Sequence, residues 1–157
     1  MKLSQIIRAP KRSIKIGKWG TGKIRQSAFP MPKAPSKAYK YGPSYRWCVV
    51  IFFVDDKECR LLVLFNHLRL QFRATLGVME SNGLRILCDH EYHPTEPWHC
   101  HFSMEDSINV PTGVRRIYMR RFPKRGGIDD ASFPASETEA LRKAIKFYRV
   151  EEPGMLL

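Results

Sequence analysis

The chain has 157 residues, is 43% hydrophobic and 11% aromatic, and carries a formal net charge of +12 at pH 7. That is about one domain's length with enough apolar content for one core. It excludes a membrane-spanning helix, because the longest apolar run, Cys48-Val49-Val50-Ile51-Phe52-Phe53-Val54, stops at Asp55-Asp56, well short of the roughly 20 residues a bilayer requires.

The excess charge lies at one end. Residues 1–46 hold twelve Lys/Arg and no Asp or Glu, while the remainder holds fifteen of each sign. Residues 1–44 also contain Pro10, Pro30, Pro32, Pro35 and Pro43 among only scattered large apolar side chains. Such a segment reads as an extended basic arm that orders on a partner, preceding a single domain over 45–157. Nucleic acid is the expected partner, since each cation that neutralises a phosphate releases condensed counterions, and a nucleic-acid-binding or nucleoprotein-assembly component is the leading functional expectation. Lys11, Arg12, Lys15, Lys18, Lys23 and Arg25 are the candidate phosphate contacts, and Trp19, Tyr39, Tyr41 and Tyr45 the candidate base-stacking rings. A structural subunit whose arm threads into a partner protein is the competing expectation.

Within the arm, Gly17-Lys18-Trp19-Gly20-Thr21-Gly22-Lys23 satisfies the opening of a phosphate-binding loop, but Ile24 stands where Ser or Thr would reach the magnesium ion. No apolar strand precedes it, and Pro30 and Pro32 would soon end a following helix. Nucleotide binding there is not expected.

From Tyr45 the apolar pattern takes a period of two. Arg46 to Asp55 and Arg60 to Phe65 form a predicted hairpin about the Asp55-Asp56-Lys57-Glu58 turn. Leu68, Leu70, Phe72, Ala74, Leu76 and Val78 alternate with Arg69, Gln71, Arg73 and Thr75, the signature of a half-buried strand. Ser81-Asn82-Gly83 supplies a turn into a strand from Leu84 to Tyr92; Pro94 to Pro97 is a loop, and Trp98 to Ser103 the next strand. Val114 to Phe122 is a sixth candidate with weaker alternation, carrying Arg115, Arg116, Arg120 and Arg121 as a second set of candidate phosphate contacts.

Near the C-terminus, Ser136-Glu137-Thr138-Glu139 fits a capping box. Leu141, Ala144, Ile145 and Tyr148 then make an apolar stripe, and Pro153-Gly154 is the expected stop. Successive strands followed by one helix predict an α+β domain, a mostly antiparallel meander of five to six strands with the C-terminal helix packed on the sheet.

The stretch from Cys88 to Phe102, CDHEYHPTEPWHCHF, holds four of the five histidines. On the predicted hairpin, the register that pairs His90 with His101 gathers Cys88, His90, His99 and His101 on one face. An offset of one residue gathers Glu91, His93, His99 and His101 instead. Either way three imidazoles meet, which suits zinc or another divalent transition metal and a metal-dependent hydrolase or phosphodiesterase. His90, His99 and His101 are the candidate ligands. His99-Cys100-His101 resembles the His-hydrophobic-His strand of HUH endonucleases, a resemblance that implies a tyrosine nucleophile at Tyr148, although the helix-strand order of that family does not precede the motif. His99, His101 and Glu105 with Pro111-Thr112-Gly113 resemble part of the cupin motifs, but Arg116 stands where the second-motif histidine belongs. Neither resemblance extends to a family.

Cys48, Cys59, Cys88 and Cys100 form no CxxC pair, and the sequence opens without an apolar segment leading to a small-residue cleavage site. Free thiols and a cytoplasmic location are expected.

Overall fold

The computed structural model of the chain describes residues 1–30, 41–102, 119–121 and 132–151. In chain order the elements are α1 (Leu3–Arg8), β1 (Arg12–Ile16), β2 (Gly20–Thr21), β3 (Arg46–Val54), β4 (Lys57–Asn66), β5 (Gln71–Glu80), β6 (Gly83–His93), β7 (Glu96–Phe102), β8 (Met119–Arg121) and α2 (Glu137–Tyr148). Among the described residues all strand pairings are antiparallel. The sheet runs β1-β3-β4-β5-β6-β7-β8, with β2 also pairing β3. This is the α+β meander that the alternating strands and the single amphipathic C-terminal stretch predict.

Both faces of the central strands are buried, which explains why Cys48 to Val54 is a continuous apolar run rather than an alternating one. One face carries Val50, Phe52, Leu61, Val63 and Leu76 against Ala144, Ile145 and Tyr148 of α2 and Ile6 of α1. Each fully buried Ile, Leu or Phe there contributes roughly 1.5–3 kcal/mol of apolar transfer. The other face carries Trp47, Val49, Leu62, Leu64, Leu84 and Ile86 beneath Ile24 and Phe29.

Those last two residues, with Ile6, correct the expectation of an arm that awaits a partner. Residues 1–30 order on the chain's own sheet, because β1 satisfies the open edge of β3 and Ile6, Ile24 and Phe29 are at most 1% exposed. The glycines of the loop-like motif serve this docking. Gly17 N–H donates to Val49 O at 2.9 Å, and a Cβ on Gly17 would stand 2.7 Å from that oxygen. A Cβ on Gly20 would stand 2.8 Å from the Trp47 ring. Close backbone approach, not phosphate, accounts for the motif.

Several element ends differ from the sequence expectation: β4 starts at Lys57 rather than Arg60, β7 starts at Glu96 inside the expected loop, and the ends of β5 and α2 also move. Leu68 and Leu70 do not start β5; they are exposed in a turn, Leu70 at a φ of 51°. Buried Asn66 makes that turn by accepting from Arg69 N at 3.0 Å while donating to Ser44 Oγ at 3.0 Å, a side-chain bond that ends the ladder early. Helix α2 begins as expected, with Ser136 Oγ accepting from Glu139 N at 3.2 Å, but Glu139 Oε2 returns its bond to Ala135 N rather than to Ser136. It stops at Tyr148, five residues before the expected stop at Pro153-Gly154, because Arg149 turns left-handed and Val150 N–H reaches back to Ile145 O. Tyr148 O–H then pins the helix between Ala74 O at 2.7 Å and Cys88 O at 3.2 Å. Among the described residues no helix is long and apolar enough to cross a membrane.

Candidate metal centre and adjoining cleft

Strands β6 and β7 meet in the second of the two registers. Glu91 pairs with His99, Asp89 with His101 and His90 with Cys100. Alternation then divides the histidines. His90, a predicted ligand, faces α2: its ring stacks on Phe147 at 4.0 Å and lies beside Phe72 and Trp98. Burial, with Lys143 nearby, pushes its pKa down to about 3, so it is a neutral core aromatic. His99 and His101 lie on the opposite face, where Glu91 joins them; His93, from the irregular end of the hairpin, completes the group.

The geometry converges on one carboxylate oxygen. Glu91 Oε2 lies 3.4 Å from His99 Nε2, 3.7 Å from His101 Nε2 and 3.9 Å from His93 Nε2. Glu96 Oε2 lies 3.7 Å from His93 Nε2 and 3.8 Å from His99 Nε2. Ligand atoms of Glu91, His93 and His99 all fall within 4.8 Å of one another, so the group could hold a metal ion. Tetrahedral bonds of about 2.1 Å set ligand atoms about 3.4 Å apart, close to this spacing.

Two further observations fit an ion. His99 is fully buried, yet its Nε2 makes no hydrogen bond among the described residues. Its Nδ1 lies 2.8 Å from Pro97 O, and an N–H···O bond there leaves the Nε2 lone pair turned toward Glu91. A ring nitrogen held by a backbone carbonyl while the other faces inward is the usual support of a metal-ligating histidine. Arg73 from β5 fixes Glu91 from the other side, Nε to Oε1 at 2.9 Å. Burial opposes the charge of Arg73, but Asp89 and Glu91 outweigh it and raise its pKa. Asp89 in turn accepts from Thr75 Oγ1. A polar row therefore crosses β5, β6 and β7.

Glu91 and His93 also line a cleft of about 180 Å³, together with Tyr41, Tyr45, Gln71 and Arg73. Tyr41 and Tyr45 have ring centroids 5.1 Å apart, and Tyr45 O–H donates to Gln71 Oε1. One side of the Glu/His group is thus reachable from outside, and His93 is 30% exposed.

The predicted phosphate contacts separate. Lys11 is withdrawn: it is 3% exposed, and its ammonium donates to Ile7 O and Ala9 O at 2.9 Å each, closing the C-terminal end of α1. Burial lowers its pKa, with Cys59 opposing. Arg12 is exposed and donates to Asp55 O, and Lys15, Lys18, Lys23 and Arg25 are exposed. Arg120 and Arg121 lie on β8, paired with Cys100 and His99, whereas Arg115 and Arg116 lie outside the described residues. Tyr148, the nucleophile implied by the HUH resemblance, is fully buried on the other face. All four cysteines are buried and free, and burial pushes the Cys48 and Cys59 thiols up to about 11 and 12, so neither offers a thiolate.

Arg73, Gln71 and Thr75 were readable only as the outward face of β5. The available signal was that the same parity, carried through antiparallel pairing, sets Arg73 opposite Glu91. No family model, curated protein or solved structure matches this chain.

Proposed function

We propose that this protein is a metal-dependent phosphodiesterase acting on nucleic acid, with its metal centre at Glu91, His93 and His99. The observation that carries the reading is the convergence of two imidazoles, one buried and one partly exposed, and a buried carboxylate beside a cleft. A structural zinc site is closed by four protein ligands, whereas a catalytic one keeps a position open. His93, partly exposed on the cleft side, supports the second arrangement.

Zinc or a related transition metal bound there supplies a Lewis acid for a phosphoryl oxygen and an activated water. Glu91, His93 and His99 hold it, and His101 stands next to the same carboxylate oxygen. Arg73 orients Glu91 through Nε, which leaves its two terminal nitrogens to meet a phosphate at the cleft. The exposed cations at 12, 15, 18, 23 and 25 strengthen the attraction of a polyanion. Arg12 and Lys15 lie on β1, four strand spacings or about 19 Å from β6, a separation that suits recruitment rather than chemistry.

The test is cleavage of a labelled single-stranded oligonucleotide by the full chain. Cleavage should stop on chelation, return with zinc or manganese and be absent in His99→Ala. Cleavage that ignores the chelator, or a metal-loaded protein that cleaves no phosphodiester, would contradict the proposal.

A further inference from the structure

We infer that the cleft beside the Glu/His group is a nucleobase subsite, and that the substrate enters as an unpaired strand with one base on Tyr41 and Tyr45 and its phosphate at Arg73. This deepens, and rests on, the reading of the Glu91 group as a phosphodiester centre.

The cleft combines three kinds of surface that a nucleotide needs together. Tyr41 and Tyr45, tilted 44° to one another, supply aromatic surface. Gln71 supplies a hydrogen-bonding edge: its Oε1 is taken by the Tyr45 hydroxyl, which leaves the amide NH2 as donor. Arg73 supplies the cation, held in place by Glu91 and by the charge of Asp89. Glu91 and His93 line the same cleft, so a ring on the tyrosines and a phosphate at the metal ligands belong to one small molecule's reach.

Size argues for a base and not a larger group. At about 180 Å³ the cleft is smaller than the roughly 300 Å³ at which drug-sized ligands are housed. That space suits one ring system. A base stacked in a duplex cannot enter such a cleft unless it is first unstacked and unpaired, which favours a single strand.

The experiment uses the full chain in chelator-treated buffer, so that binding is read without cleavage. Fluorescence anisotropy compares a mixed-sequence single strand with an abasic strand of equal length, which keeps the phosphates and lacks the bases. Wild type should bind the base-bearing strand about tenfold or more tightly, and Tyr41→Ala should bring the two affinities together, whereas Tyr41→Phe should keep the preference. Tyr41→Leu, which retains apolar contact with the neighbouring cluster, should lose the preference as Tyr41→Ala does and guards against a folding defect. Equal binding of both strands by wild type, or a preference that survives Tyr41→Ala and Tyr41→Leu, overturns the inference.

The metal content of each preparation as purified, measured before any chelator is added, separates the two readings. A metal-bearing protein without base preference removes the subsite and leaves the centre. A metal-free protein whose preference vanishes in Tyr41→Leu supports the subsite and removes the centre.

Discussion

His90 and His99 come from adjacent strands of one hairpin, and both are buried, yet the two faces of β6 and β7 give them opposite chemistry. On the α2 face His90 is enclosed by Phe72, Trp98 and Phe147, so the cheapest state of the ring is neutral and aromatic. On the opposite face His99 meets Glu91, His93 and His101, with Pro97 O fixing its other nitrogen. Burial alone does not make a histidine functional. What its neighbours can accept or donate decides, and a one-residue shift of register would exchange the roles of the two faces.

The helix face gives the largest expected effect. Native His90 takes up a proton only near pH 3, whereas an unfolded histidine does so near 6.5. Below pH 6.5 the unfolded state therefore gains a proton that the native state refuses, and stability falls as pH falls through that window. Between pH 6.5 and 4 the loss from this group should be about 3 kcal/mol. His90→Phe should remove it while keeping the stack on Phe147. Denaturant unfolding at the two pH values checks this: an equal loss of stability in wild type and His90→Phe would show that His90 is not held neutral.

A smaller effect is expected on the metal face. Arg73→Met leaves Glu91, whose side chain is 4% exposed, without its guanidinium partner. The full penalty of a broken buried pair does not apply, because Arg73 is 35% exposed; about 1–2 kcal/mol is expected for the metal-free protein. Zinc should restore part of it, since a cation at Glu91 and His99 replaces the lost charge, and should raise the midpoint of the variant more than that of wild type. A loss that zinc does not change would separate Arg73 from the metal group.

The sequence carried the meander because period-two alternation and turn chemistry at Asp55-Asp56 and Ser81-Asn82-Gly83 are local. It carried the α2 start for the same reason. The N-terminal segment misled because Ile6, Ile24 and Phe29 are isolated apolar residues in a basic, proline-containing stretch, and their burial depends on a face of the sheet that no local pattern announces. The candidate site was legible as a cluster and not as a set. Both registers of the hairpin were consistent with its residues, and the choice that sends His90 to the core and Glu91 to the ligands rests on packing against Phe147 and on the Arg73–Glu91 pair, each a long-range contact.

The Glu91 face, and not the His90 face, is the one expected to hold metal. Elemental analysis of the full chain purified after growth with added zinc measures this directly. Close to one equivalent is expected in wild type and in His90→Phe, with most of it lost in His99→Ala and Glu91→Gln. A metal-free wild type, or a His90→Phe protein as depleted as His99→Ala, would contradict the assignment of the centre.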